Sequence, residues 1–416
     1  MFRIPCLPGA AALALLLGSN AFGATDAELA DIRNEIRALK ATYESRIQAL
    51  EQRLKEAEAR PAAVVAAQPA PAALPPAAPA STASAFNPAI SAILTGTYAH
   101  LSRDPSAFAI PGFTPDGEIG PGRRSFGLGE SELVLSANVD PHFSGTLILA
   151  VTPEDTIAVE EAYGRYLGAP FGLAPKFGRF LSGIGYLNET HPHAWDFVDA
   201  PLAYQAFLGG RYSTDGVQVK WVAPLDRFLE LGVEAGNGDA YPGSDRNRNG
   251  AGATSVFAHA GGDIGASHSW RAGVSYLKAR SKEEGIEATS RLGIADFVWK
   301  YAPNGNARET NLKVQGEYFS GRIREASRQA GWYLQGVYKF MPEWRVGVRH
   351  DRLDSRGVDD VTYAPRKTSV MFDYNPSEFT RIRLQFARSQ LLPDVSDSQW
   401  FLQYILSLGA HGAHAY

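Results

Sequence analysis

From Phe86 to Tyr416 apolar and polar residues alternate with a period of two, and turn residues interrupt the pattern roughly every ten residues. In Trp270–Tyr276 the even positions are apolar and the odd ones polar or small. Trp332, Leu334, Tyr338 and Phe340 share one face, with Gln335 and Lys339 on the other. Trp344, Val346 and Val348 oppose Arg345, Gly347 and Arg349, and Ile382, Leu384 and Phe386 oppose Arg381, Arg383 and Gln385. Two features favour a membrane barrel over a soluble sandwich. Aromatics end the apolar faces and aliphatics fill the middle, as at two membrane interfaces. The opposite faces carry charges in mid-strand, prohibitive in a dry core but cheap in a water-filled lumen.

Turn chemistry sets the strand count. Tight connections fall at Asp140-Pro141, Ala169–Pro175, Ala223–Asp226, Gly265–His268, Ala302–Asn306, Met341-Pro342 and Asn375-Pro376. Longer polar loops lie between them at Ser102–Arg124, Thr152–Thr156, Leu181–Phe207, Gly236–Gly252, Arg280–Ala288, Gly321–Gln329, Asp354–Pro365 and Gln390–Ser398. This predicts an all-β fold, an antiparallel transmembrane β-barrel of roughly sixteen strands, its tight turns and both termini on the periplasmic side. A barrel of that size leaves an aqueous channel.

The N-terminal segments differ in texture. Residues 1–23 read as a signal peptide, with Arg3, the apolar stretch Leu7–Leu17 and the cleavage site Ala21-Phe22-Gly23. Residues 24–60 read as a periplasmic coiled coil, with apolar Leu29, Ile32, Ile36, Leu39, Tyr43, Ile47, Leu50 and Leu54. Their steps of three and four contain one stutter, and so narrow a stripe needs helical partners, expected to make a homotrimer. Residues 61–88 are an Ala/Pro-rich spacer, and the barrel is expected over 89–416.

Composition changes little. The formal net charge of -4 implies no nucleic-acid partner. The single cysteine, Cys6, leaves with the signal peptide. After the N-terminus no apolar run approaches the roughly 18 residues of a spanning helix. No nucleophilic triad, phosphate loop, HExxH motif or paired carboxylate points to an enzyme.

Candidate chemistry gathers in the third long loop, LSGIGYLNETHPHAWDFVDAPLAYQAF, residues 181–207. Its aromatics would pack on the barrel wall, leaving Glu189, Asp196 and Asp199 to line a constriction. Arg345, Arg349, Arg381 and Arg383 project into the lumen opposite, so acids and arginines would set a transverse field across a narrow aqueous slot. Arg271, Lys313 and Lys339 share the inward face. The arginines would alternatively pair with lumen acids such as Glu317, Asp351 and Asp373 and stiffen the wall. His191 and His193, two apart on extended chain, point the same way. With Asp196 or Asp199 they would make a transient Zn²⁺ site. His411 and His414 form a second pair near the terminal aromatic Tyr416.

On these residues the chain resembles known families. Signal peptide, short coiled coil, Ala/Pro spacer and barrel follow the order of trimeric Gram-negative porins. The segment KFGRFLSGIGYLN…FVDAPLAYQAFLGGRYSTDGVQVKW is similar to the constriction-loop region of phosphate-selective porins, although this loop has no Lys or Arg cluster. FNPAISAIL, HAWDFVDAPLAY and SLGAHGAHAY resemble a proteobacterial group described as zinc-regulated TonB-dependent outer-membrane receptors, which implies a role in metal supply.

The expected function is an outer-membrane channel for passive diffusion of small hydrophilic solutes or ions, in contact with lipid and with copies of itself, and with no resident cofactor. Two alternatives are a zinc-uptake protein and an envelope tether with an incidental pore.

Overall fold

The computed structural model describes residues 89–409, apart from 114–118, 153–155, 239, 243–248, 284–285, 324–326 and 356–362. The expected signal peptide, coiled coil and spacer, and His411, His414 and Tyr416, lie outside the described residues.

The chain builds one closed antiparallel barrel. Its first strands are β1 (Ala89–Leu101), β2 (Ser125–Leu128), β3 (Ser131–Asn138), β4 (Phe143–Val151), β5 (Ile157–Tyr166) and β6 (Leu173–Leu181). Then come β7 (Ser213–Val222), β8 (Phe228–Gly236), β9 (Ala253–Ile264), β10 (His268–Glu283), β11 (Ile286–Tyr301) and β12 (Asn311–Arg322). The last are β13 (Gln329–Met341), β14 (Trp344–Asp354), β15 (Arg366–Ser377), β16 (Thr380–Leu392) and β17 (Val395–Gly409). The barrel has sixteen staves, because β2 and β3 are two pieces of one stave, both paired with β1. β17 pairs with β1 from Ser91 opposite Gly409 to Leu101 opposite Gln399, so no sheet edge is left open.

The outer face is apolar and exposed, including Val274, Leu334, Val348, Trp400 and Leu402. In a membrane that face meets lipid. The inner face departs from the expected polar lumen. Leu277, Leu292, Ile294, Phe319, Tyr333 and Leu353 point inward and are buried in a cluster with loop residues. The loop between β6 and β7 supplies Ile184, Leu187, Leu202, Tyr204 and Phe207 to it. The loop after β1 adds Ile110 and Phe113, and the loop after β8 adds Tyr241. Part of the lumen is therefore an apolar core.

Candidate functional site

The loop from 182 to 212 is tied at its neck. Asn188 donates from Nδ2 to the carbonyls of Ser182 and Tyr212 at 2.7 and 2.8 Å, and its Oδ1 accepts the Tyr212 amide at 2.8 Å. Inside the barrel the loop forms a short helix, α1 (Leu202–Leu208), every residue of which is buried. Seven residues make a marginal helix on their own. Packing holds it: Phe207 stacks on Phe319 at 5.8 Å and meets Phe113 edge-on at 5.1 Å. Its end is fixed by Gly209 at φ 65°, a left-handed cap that favours glycine. Gly331 of β13 lets the helix approach the wall, since a Cβ there would meet Leu353 at 2.6 Å and Phe207 at 3.3 Å.

Glu317 of β12 anchors the start of the loop. Its carboxylate accepts from the Tyr204 hydroxyl at 2.9 Å, the Tyr333 hydroxyl at 2.6 Å, and the amides of Tyr186 and Leu187, each at 3.1 Å. The partners are tyrosines and loop amides, not one of the lumen arginines. Glu317→Leu would leave several buried donors without an acceptor, at about 1–3 kcal/mol each. We expect hydrogen-exchange protection of the Tyr186 and Leu187 amides to fall sharply in Glu317→Leu and only modestly in Glu317→Gln. Equal protection in the wild type and the leucine variant would refute the anchoring role.

The arginines and loop acids are in contact instead of facing each other across open water. Arg349 of β14 donates to the Asp199 carbonyl at 2.7 Å, to Asp199 Oδ2 at 3.1 Å and to Asp351 Oδ2 at 2.9 Å. Lys367 of β15 reaches the same Asp199 Oδ2 at 2.7 Å, and Gln385 donates to Asp199 Oδ1 at 2.8 Å. Arg345 meets Asp196 at 3.2 Å and also contacts Asp373, while Lys313 contacts Asp196. Arg383 pairs with Asp373 at 2.9 Å and donates to the Trp195 carbonyl at 2.7 Å. Arg381 donates to the carbonyls of His193 and Trp195 at 3.0 and 3.1 Å. Glu189 stands apart, held by Lys220 of β7 at 2.8 Å. Burial alone would raise the Asp199 pKa, but Lys367 and Arg349 outweigh it and hold the carboxyl well below its ordinary range. Asp196 is depressed in the same way, by Lys313 and Arg345 against burial.

The two histidines do not join Asp196 and Asp199, contrary to the sequence expectation. They meet glutamates of β3 and β5. His193 Nδ1 lies 2.8 Å from Glu132 Oε1. His191 Nδ1 lies 3.3 Å from Glu132 Oε2 and 3.2 Å from Glu160 Oε2, and its Nε2 lies 3.4 Å from Glu161 Oε2. The sheet makes this possible through a register shift between β4 and β5. Ile148 faces Glu161 and Leu149 faces Val159, so Glu160 is a bulged extra residue. Two successive glutamates thus reach one imidazole. Arg211 bridges Glu160 and Glu130, at 2.8 Å to the latter. Burial opposes a charge on His191, yet the surrounding carboxylates of Glu132, Glu160 and Glu161 outweigh it and raise its pKa well above the usual imidazole value.

Two open spaces border residues of the docked loop. Towards the tight turns, a cavity of about 510 Å³ is lined by Asp196, Lys300, Lys313, Arg345 and residues of the turns after β9 and β11. Towards the long loops, one of about 210 Å³ is lined by Glu160, Arg179, Arg211 and Asp215.

No protein-family model matches the chain. An uncharacterized protein of Aquifex aeolicus (strain VF5) is 29% identical over 342 residues, 71% of this chain and 71% of that protein. Among solved structures, the outer membrane channel DcaP of Acinetobacter baumannii is similar at 14% identity and a TM-score of 0.52, over 78% of this chain and 98% of its own. An anion-selective porin from Comamonas acidovorans is similar at 10% identity and a TM-score of 0.52, over 78% of this chain and 100% of its own. A trimer form of the outer membrane protein OmpT of Vibrio cholerae is similar at 12% identity and a TM-score of 0.50, over 77% of this chain and 99% of its own. The barrel has the architecture of outer-membrane porins and channels. At these identities the likeness extends to the fold.

Proposed function

We propose that the protein is a passive outer-membrane channel for small hydrophilic solutes or ions, narrowed by the loop 181–207. One observation carries the reading. A closed sixteen-stave barrel holds this loop inside, against charged wall residues, with a cavity of about 510 Å³ beside Asp196. Asp196 and Asp199 with Arg345, Arg349, Arg381 and Arg383 are the proposed constriction, and Glu189 guards the wall at Lys220. The signal peptide, the periplasmic coiled coil and the spacer complete the proposal, with a homotrimer as the assembly.

The test is planar-bilayer recording of the purified mature protein. Discrete conductance steps are expected. Insertion without steps would remove the channel and leave the tether reading. The likenesses to phosphate-selective porins and to the zinc-regulated group bear on the solute. Reversal potentials in phosphate and in chloride salts test the first. A zinc-uptake role is favoured by the convergence of Glu132, Glu160 and His191, and uptake of radioactive Zn²⁺ into protein-loaded vesicles tests it.

A further inference from the structure

Glu132, Glu160 and His191 each offer one ligand atom, and these atoms lie within 4.8 Å of one another. We propose that they form a binding site for a divalent transition metal of the Zn²⁺ class on the lumen wall, with Glu161 and His193 as positioning residues. The zinc-uptake reading above would use this site as a way-station, but the site stands whether or not the metal crosses.

Distances support a metal. Zn²⁺ sits about 2.0–2.2 Å from imidazole nitrogen and carboxylate oxygen, so two ligand atoms of a tetrahedral site lie about 3.3–3.5 Å apart. His191 Nδ1 is 3.3 Å from Glu132 Oε2 and 3.2 Å from Glu160 Oε2. One N–H has one direction and serves two equidistant carboxylates poorly. Among the described residues, His191 Nδ1, Glu132 Oε2 and Glu160 Oε2 are buried and make no hydrogen bond. Glu132 is only 3% exposed, and its Oε2 faces His191 Nδ1 inside the site, away from water. A buried carboxylate oxygen in that position wants a cation.

The surroundings fit as well. Glu161 Oε2 faces His191 Nε2 at 3.4 Å and would hold a proton there, leaving Nδ1 to the metal once the ring gives up its Nδ1 proton on binding. His193 Nδ1 holds the other oxygen of Glu132 at 2.8 Å. Among the described residues, Arg211 is the guanidinium that contacts this group, at Glu160 and Glu130. The negative excess favours a divalent ion. Three protein ligands leave a fourth position for water or a solute group. Glu160 borders the cavity of about 210 Å³, which supplies a route from the loop side. A set with an imidazole selects Zn²⁺ over Mg²⁺ or Ca²⁺, which prefer oxygen alone. Because His191 sits on the loop and the glutamates on β3 and β5, the bound metal would pin the loop to the wall.

Equilibrium dialysis of the refolded mature chain against ZnSO₄, with excess Mg²⁺ present, tests the site. We expect one Zn²⁺ per chain. Glu160→Gln, which keeps the shape of the side chain, and His191→Ala should each weaken binding at least tenfold, and Glu161→Gln about 10- to 100-fold. Heat-modifiable migration confirms that each variant forms its barrel. A His411→Ala/His414→Ala chain should bind as the wild type does. Absence of Zn²⁺ binding by the wild type, undiminished binding in Glu160→Gln, or loss of binding only when His411 and His414 are removed would each overturn the proposal. Vesicle uptake is read separately, so binding without transport removes the uptake role and leaves the site.

Discussion

Replacing residues 188–207 with a short Gly/Ser connection should raise single-channel conductance by roughly a factor of two or more, since sixteen staves alone enclose an aqueous channel. The barrel should still close. Its staves are joined by backbone hydrogen bonds that do not involve the loop, and the seam between β1 and β17 is intact without it. What is lost is the filling. Leu202, Tyr204 and Phe207 leave the lumen, and Leu292, Ile294 and Phe319 become wet. That exposure costs about 25 cal/mol per Å² of apolar surface and lowers stability without opening the sheet. Charge is released too, because Arg345, Arg349 and Lys367 lose their loop acids. The shortened channel should therefore also favour anions more strongly. An unchanged conductance in a folded barrel would show that this loop does not set the narrowest section.

The second large effect is expected at Asp199. Removing it leaves Arg349 and Lys367, each almost fully buried, without their shared carboxylate. Breaking a buried pair from one side typically costs about 3–5 kcal/mol. Asp199→Ala should thus release the Phe197–Leu202 stretch from the wall, read as new sites of limited proteolysis and as noisy, enlarged conductance. Asp199→Asn keeps the Gln385 contact and part of the hydrogen bonding, so its effect should be smaller. The pH dependence has a definite sign. The carboxyl of docked Asp199 is depressed below its undocked value, so its contribution is complete above the ordinary carboxylate range. It is lost only as the pH falls through the depressed value. Loop docking should therefore survive mild acid and fail in strong acid. Release of the loop on mild acidification would contradict this assignment.

The staves are legible in the sequence because a lipid-facing strand must alternate, and because Asp-Pro and Met-Pro mark strand ends, although β15 runs on through Asn375-Pro376 to Ser377. The filling of the lumen is not. In β11 Leu292 and Ile294 point inward at 1% and 4% exposure, while Phe297 faces outward at 47%. All three are simply apolar in the sequence, and only the loop opposite decides which faces become dry. The loop acids and wall arginines are legible as candidates, but not their direct contact. For the histidines, nearness along the chain misleads. Asp196 and Asp199 are adjacent in sequence, whereas Glu161 is 30 positions from His191 and Glu132 is 61 from His193. One signal was available. Glu160 and Glu161 in succession break the period of two, and such a break in a strand marks a bulge.

The lumen core also constrains assembly. Most of the apolar wall residues that receive α1 lie on β10 to β14, all later in the chain than the loop, so its core forms only when distant strands come together. Until then Leu202, Tyr204 and Phe207 have little apolar surface to rest on, the condition in which chains aggregate. The closing contact is also the most distant in sequence, with Ser91 opposite Gly409, and such long-range pairing is slow. Filling the lumen and closing the seam thus both wait on strands far apart in the chain.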